Sequence, residues 1–239
     1  MRDRRHERWQ QRAENARDAF GLVFVLVLIT YVLTSLLTNR GWGAVTIMIA
    51  TSVTSVVALT SSHANPRTVR VAIQLSLLTV LLAVIEAITT SHIHVFLDVA
   101  SLIQMVLLIV AMAFVVGRVV AEPRVGPRAI LGALSVYAVL GLVFTYLYGT
   151  IDRLQTGNFF EGVAHPSGSD FLFFSYTTLT TTGYGDLVPG GQPGRMVTGL
   201  EMMIGQIFLV TLVAGLVSLW QPGQAIRRRR DERAAGDRA

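Results

Sequence analysis

The sequence contains no cysteine among its 239 residues, and charged residues make up only 15% of it. Without cysteine the chain can form no disulfide, no thiolate metal site and no cysteine nucleophile. The scarcity of charge accompanies a hydrophobic fraction of 52%, which lies outside the usual range for soluble globular domains. This composition indicates a membrane protein.

Six windows are long and apolar enough to cross the hydrocarbon core, which takes about 20 residues. They are 20–38, 43–61, 69–89, 95–116, 129–149 and 196–220. A seventh apolar piece, 170–179, has half that length and suits a re-entrant segment, whose backbone must be covered by protein or water. We therefore predict an all-α membrane protein with six transmembrane helices and a short re-entrant helix.

Lysine is also absent, so all 20 basic residues are arginines, set against 15 acidic residues. If the N-terminus is cytoplasmic, all but three arginines fall on the cytoplasmic side, and only Arg40, Arg153 and Arg195 fall outside. This asymmetry predicts a multi-pass protein of the cell membrane with both termini in the cytoplasm. Because the arginines lie between and beyond the apolar windows, we expect no nucleic-acid partner.

The segment 118–128 holds Pro123, Gly126 and Pro127, which break or kink helices. We place a boundary there and predict a basic N-terminus (1–19), a four-helix membrane domain (20–117), a linker (118–128), a two-span part (129–220) and a basic tail (221–239). The tail contains Arg227, Arg228, Arg229 and Arg230. These arginines could hold anionic lipid head groups, at about 1 kcal/mol each, or serve only as a positive anchor.

Residues 177–186 read TTLTTTGYGD and follow the half-length apolar piece. Ser169 and Asp170 predict the N-cap and first turn of a helix over about 171–180. Its carbonyl end would lie inside the membrane and favour a cation there. A protein that strips water from an alkali cation must supply oxygens instead. Gly183 and Gly185 can adopt the left-handed conformations that turn successive carbonyls to one side.

The stretch TLTTTGYGDLVP resembles the selectivity filter of the potassium-channel superfamily, and FLFFSYTT resembles its pore helix. The resemblance extends over about 129–220, and the span count is similar to that of bacterial six-span, one-pore channels. It implies that K⁺ is coordinated by the Thr181 hydroxyl and by filter carbonyls, with Asp186 at the outer mouth. The implied filter residues are Thr181, Thr182, Gly183, Tyr184 and Gly185. Because one chain carries one filter, the resemblance implies a homotetramer.

Two departures from the family pattern affect the filter. Thr182 replaces the usual valine and brings a hydroxyl that needs a partner when buried. Phe173 and Phe174 replace a tryptophan pair and cannot donate hydrogen bonds to Tyr184, so we expect a softer support. The alternatives are a non-selective cation channel and a non-conducting membrane scaffold. We expect no enzyme and no cofactor, because no spacing such as H-E-x-x-H is present.

The last window contains further candidates. Glu201 is predicted to support the filter by hydrogen bonding to the hydroxyl of Tyr176, Thr177 or Thr178, the alternative being a surface glutamate. Gly205 matches the hinge position of the family's inner helix, but a small residue there can equally allow close packing. Val213 and Val217 are candidates for an apolar inner gate.

The fourth window, 95–116, contains no arginine, and Arg118 lies only at its inner end. A voltage sensor would carry a ladder of arginines there, so we expect weak voltage dependence. The sequence does not identify the stimulus that opens the pore. Glu86 and Asp98 lie in or near the third and fourth windows. With His92 and His94 they could sense protons or act as countercharges, or they could form only local hydrogen bonds.

Overall fold

A computed structural model describes residues 3–37, 41–89, 95–121 and 127–219, with most side chains from residue 20 onward. Seven helices lie in these ranges. They are α1 (Asp3–Leu36), α2 (Trp42–Ser61), α3 (Pro66–Ile88), α4 (Val95–Val120), α5 (Pro127–Leu154), α6 (Gly168–Leu179) and α7 (Gln192–Leu219). These ranges contain no strand, only an isolated antiparallel bridge between Phe160 and Pro189. The predicted all-α class is confirmed.

Five of the helices, α2, α3, α4, α5 and α7, are long and apolar enough to cross a membrane. Each coincides with a window predicted from hydropathy. The first window lies in α1, whose apolar part, Phe20–Leu36, is 17 residues long and rises about 25 Å. Helix α1 also extends back to Asp3, so the backbone shows no break at the predicted boundary after residue 19. The chain is a multi-pass membrane protein.

Helices α1 to α4 share a buried polar interior. The hydroxyls of Thr30 in α1 and Thr54 in α2 lie 3.2 Å apart. Gln104 in α4 is fully buried; its side-chain oxygen accepts a hydrogen bond from Ser52 over 3.2 Å, and its nitrogen donates to Ser55 over 3.1 Å. Such bonds hold spans together where lipid offers no polar alternative. Gln104 is thereby fixed to α2 near the middle of α4.

The front four helices are joined to the rest of the chain by one apolar cluster. It includes Val23 of α1, Leu108 of α4, Val139 of α5 and Leu172 of α6, all buried. The Ser135 hydroxyl of α5 also donates a hydrogen bond to the Phe20 carbonyl of α1, over 3.0 Å. Helix α5 is therefore the common wall of the two parts.

Helix α6 packs against α1, α5 and α7. Its 12 residues rise about 18 Å, which is roughly half the thickness of a hydrocarbon core. One face of α6 is buried through Phe171, Leu172, Phe174 and Ser175. A half-length helix is therefore held between two spanning helices, α5 and α7, with one face buried against protein, as expected of a re-entrant segment.

Candidate functional site

Helix α6 begins at Gly168, three residues before the predicted start, because a capping box fixes its first turn. The Asp170 amide donates to the Ser167 hydroxyl over 3.3 Å, and the Ser167 amide donates to the Asp170 carboxylate over 2.7 Å. Two otherwise unsatisfied amides are bonded in this way. The predicted N-cap, Ser169, is wrong: the cap is Ser167, whose hydroxyl lies 2.8 Å from that of Ser169. Asp170 does lie in the first turn.

The segment that follows α6 alternates in backbone handedness. Thr181, Gly183 and Gly185 have φ values of +57°, +51° and +81°, whereas Thr182 and Tyr184 between them do not have positive φ. Glycine adopts positive φ at little cost, but the conformation is strained for a β-branched residue such as threonine. A backbone that alternates in this way can turn successive carbonyls toward a common side. The backbone of Thr181 is therefore strained, and the contacts around it must maintain this conformation.

The carbonyls near the end of α6 hold this segment. The Thr177 carbonyl accepts hydrogen bonds from the Thr182 amide over 2.8 Å and from the Gly183 amide over 3.2 Å. The Thr178 carbonyl accepts one from the Thr181 amide over 2.9 Å. Thr177 therefore supports the segment through its backbone, while its hydroxyl donates to the Phe174 carbonyl over 3.0 Å.

Thr182, the residue that departs from the family's valine, has a partner for its hydroxyl. The Thr180 hydroxyl lies 2.9 Å from it and itself donates to the Tyr176 carbonyl over 2.7 Å. Residues 180–186 are all exposed on the surface of the single chain, including Asp186. The whole segment is therefore accessible to solvent and to other copies of the chain.

Phe173 and Phe174 take two different places. The Phe173 ring stacks on the Tyr184 ring, with centroids 5.8 Å apart and planes 12° from parallel. Phe174 is buried and contacts Tyr148 and Phe160, with centroid distances of 5.0 Å and 5.1 Å. Stacking of this kind adds about 0.5–1.5 kcal/mol beyond the area buried. Tyr184 is therefore supported by ring contact on one side.

Glu201 is fully buried between α5, α6 and α7, which excludes the surface alternative. Its Oε1 lies 2.6 Å from the Ser175 hydroxyl, and its Oε2 lies 2.5 Å from the Tyr148 hydroxyl. The predicted contact with α6 exists, but the predicted partners were wrong. The hydroxyl of Tyr176 bonds instead to the Ala138 carbonyl, over 2.6 Å. Thr177 bonds within α6, and Thr178 is buried without a hydrogen bond to Glu201.

Sequence reasoning missed Ser175, Tyr148 and Tyr137. The Ser175 hydroxyl also lies 2.8 Å from the Gly141 carbonyl of α5. The Tyr137 hydroxyl donates to the carbonyl of Leu179, the last residue of α6, over 2.9 Å. A polar Ser175 on an otherwise apolar face of α6 was the one available signal. Nothing in the sequence indicated which distant residue it meets.

Gly205 and Gly141 allow close approach to α6. A Cβ atom on Gly205 would overlap the Leu179 carbonyl oxygen, and one on Gly141 would lie 2.7 Å from the Tyr176 ring. Close packing is thus the observed role of Gly205. Further along α7, Val213 and Val217 are 54% and 62% exposed, so their side chains are available to an inner gate in an assembly.

Arg195 fastens the loop between the segment of alternating handedness and α7. Its Nη2 forms an ion pair with Glu161 at 2.8 Å, and its Nε donates to the Pro189 carbonyl over 3.0 Å. The Glu161 amide in turn donates to the Val188 carbonyl over 2.9 Å. Arg195 therefore joins the start of α7 to the loop before α6, through Glu161, and to the loop after it, through Pro189.

Asp98 of α4 forms an ion pair with Arg153 of α5, Oδ1 to Nε, at 3.0 Å. The two side chains are 39% and 32% exposed, so this pair lies at the rim of the bundle rather than inside it. Glu86 is buried in α3. His92, His94 and Arg227 to Arg230 lie outside the described residues. The pair links the front helices to the wall helix α5.

A half-length helix and a segment of alternating backbone handedness lie between two spanning helices. A membrane protein with this arrangement has the architecture of an ion-conducting pore. Residues 132–221 match the family model described as "Ion channel". This part of the chain is similar to that family, in agreement with the resemblance read from the filter sequence. The match starts in α5 and leaves the front four helices outside. No curated protein and no solved structure matches the chain.

Proposed function

We propose that four copies of this chain form a potassium-selective channel that conducts K⁺ passively. The observation that carries the proposal is the alternating handedness at Thr181, Gly183 and Gly185, directly after the end of the half-length helix α6. In a tetramer, the carbonyls of Thr181, Thr182, Gly183 and Tyr184 and the Thr181 hydroxyl replace the water that K⁺ sheds. Such a protein performs no chemical catalysis.

Two further features support a pore with cation preference. The carbonyl end of α6 lies next to the filter, where its partial negative charge favours a cation. The filter segment is exposed along its length on the single chain, and a single strand cannot surround an ion, so identical strands from other copies are needed to complete the ring. Asp186 then adds negative charge at the outer mouth. On α7, beyond Gly205, Val213 and Val217 form the inner gate.

The channel is not steeply voltage-gated in this proposal. The middle of α4 is occupied by the neutral Gln104, and its one arginine, Arg118, lies in the last turn. Both termini lie in the cytoplasm, where Arg227 to Arg230 contact anionic lipids. The four front helices then act as a fixed frame around the pore.

The proposal is tested by flux from proteoliposomes that contain the purified full-length protein, with protein-free liposomes as control. We expect flux under a K⁺ gradient, block by Ba²⁺ and much slower flux under a Na⁺ gradient. Equal K⁺ and Na⁺ flux would establish the non-selective channel instead. If neither ion moves and the particles lack fourfold symmetry, the chain is a scaffold and the proposal is wrong.

A further inference from the structure

Three oxygen-to-oxygen contacts meet behind the filter, where α5, α6 and α7 come together. The Tyr148 hydroxyl lies 2.5 Å from Glu201 Oε2, and the Ser175 hydroxyl lies 2.6 Å from Glu201 Oε1. The Ser175 hydroxyl also lies 2.8 Å from the Gly141 carbonyl oxygen. All three distances are in the range of good O–H···O hydrogen bonds.

The two hydroxyl groups supply two protons for these three contacts. One hydroxyl proton can be shared between two acceptors, as at Ser135, whose hydroxyl lies 2.8 Å from the Leu131 carbonyl and 3.0 Å from the Phe20 carbonyl, but each contact is stronger and better aligned with a proton of its own. Tyr148 and Ser175 bring one each, and the Gly141 carbonyl brings none. The arrangement is complete if Glu201 carries the third proton and donates it to Ser175, while Ser175 donates to Gly141 and Tyr148 donates to Glu201.

The surroundings of Glu201 also favour the neutral acid. Its side chain is fully buried, and an isolated buried carboxylate is costly unless a cation is paired with it. In the described part of the chain the arginines that form ion pairs, Arg153 and Arg195, pair with other carboxylates. Among the residues that the structure describes, the titratable groups that face Glu201 are tyrosines: Tyr137 and Tyr148 from α5 and Tyr176 from α6.

We propose that Glu201 is a protonated positioning residue, whose carboxylic acid donates to Ser175 and so fastens α6 between α5 and α7. Because the folded state holds this proton, raising the pH removes a bond that fixes the filter's supporting helix, and stability falls with rising pH. At alkaline pH we expect the support to loosen. The channel part of this inference rests on the proposed function, but the protonation of Glu201 does not.

Infrared spectroscopy tests the proton directly on the purified full-length protein. A protonated carboxylic acid has a carbonyl stretch apart from those of carboxylates and amides. At about pH 7, where exposed glutamates are ionised, we expect this band in the wild type and its loss in Glu201→Gln. Glu86→Gln, at the other buried glutamate of the described residues, is the matched control and should keep the Glu201 band. If Glu201→Gln removes no acid band at that pH, Glu201 is ionised, Ser175 shares one proton between two acceptors, and the inference is overturned.

Flux measurements test the positioning role. A glutamine amide can donate to Ser175 and accept from Tyr148 but does not titrate near neutral pH. Glu201→Gln should therefore keep wild-type K⁺ flux and K⁺ over Na⁺ discrimination at about pH 7 and also at about pH 10, where the wild type should lose discrimination. Glu201→Ala should lose K⁺ over Na⁺ discrimination at both pH values. Discrimination in Glu201→Gln that falls with pH as in the wild type would contradict the role, even where the infrared band confirms the proton.

Discussion

Gly205 of α7 lies directly against the carbonyl oxygen of Leu179, the last residue of α6. The same oxygen accepts the hydrogen bond from Tyr137 of α5. The end of α6 is therefore held from two sides, by a polar contact with α5 and by the missing side chain on α7. Because Thr181 follows two residues later, this contact fixes the position at which the segment of alternating handedness starts.

The first prediction concerns Gly205→Ala. The new Cβ meets backbone rather than a flexible side chain, so α6 and α7 must move apart. Overpacking of this kind lowers the free energy of unfolding by about 1–3 kcal/mol. We expect a lower thermal midpoint of the purified protein and reduced flux. Gly199→Ala is the matched control, since a Cβ at Gly199 of the same helix meets nothing within 4 Å. Equal midpoints for the two variants would show that the contact carries no constraint.

The second prediction concerns Gly183→Ala. Gly183 has φ of +51° and open space around it in the single chain, so alanine brings backbone strain of about 1 kcal/mol or more rather than a clash within the chain. We expect K⁺ flux to be lost because the carbonyl pattern is disturbed. Gly162→Ala is the control for strain alone, with φ of +78° and similar open space outside the filter. A conducting Gly183→Ala channel would contradict the proposed filter.

The helices were predictable because hydropathy is a property of each segment by itself. Each window depends on about 20 local residues, and the start of α6 was misplaced only because Ser167 competes with Ser169 as the cap. The left-handed positions at Gly183 and Gly185 followed from residue type, but the one at Thr181 did not, because threonine disfavours it. Strain there depends on the surrounding fold.

The partners of Glu201 were not predictable from the sequence. Spacing along one helix indicated that a carboxylate in the last span faces α6. Which hydroxyl it meets depends on the rotation of α6 and on Tyr148, 53 residues away. Local patterns carry no information on either. For the same reason the pairing of Asp98 with Arg153, across two helices, emerged only from the fold.

The third prediction concerns this ion pair, which is partly exposed to solvent. We expect Asp98→Asn and Arg153→Gln to be non-additive in thermal stability, with a coupling of at most about 1 kcal/mol that shrinks at high salt. The pair of Arg195 and Glu161 is more exposed, at 53% and 56%, and serves as the comparison. We expect its coupling free energy to be smaller. Full additivity of the Asp98 and Arg153 variants in low salt would show that this ion pair does not stabilise the packing of the front helices against α5.

The last prediction concerns voltage. Each charge that crosses the whole field contributes about 2.3 kcal/mol per 100 mV, so a helix with a neutral centre supplies little energy for gating. We expect a shallow conductance–voltage curve for the wild type in planar bilayers. Gln104→Leu should leave that slope unchanged, while the loss of its bonds to Ser52 and Ser55 lowers stability by about 0.6 kcal/mol for each bond.

Ser52→Ala is the partial control, because it removes one of the two bonds of Gln104 together with the longer 3.4 Å contact between Ser52 and Thr79, and it should lower the thermal midpoint by less. A steep wild-type curve, equivalent to several charges, would mean that the front helices move in the field despite Gln104. A slope that changes in Gln104→Leu would place the buried amide in the gating motion itself. Because Gln104 is tied to α2 by two hydrogen bonds, sliding of α4 past α2 would break both, and the structure therefore favours a front bundle that stays fixed while the pore opens.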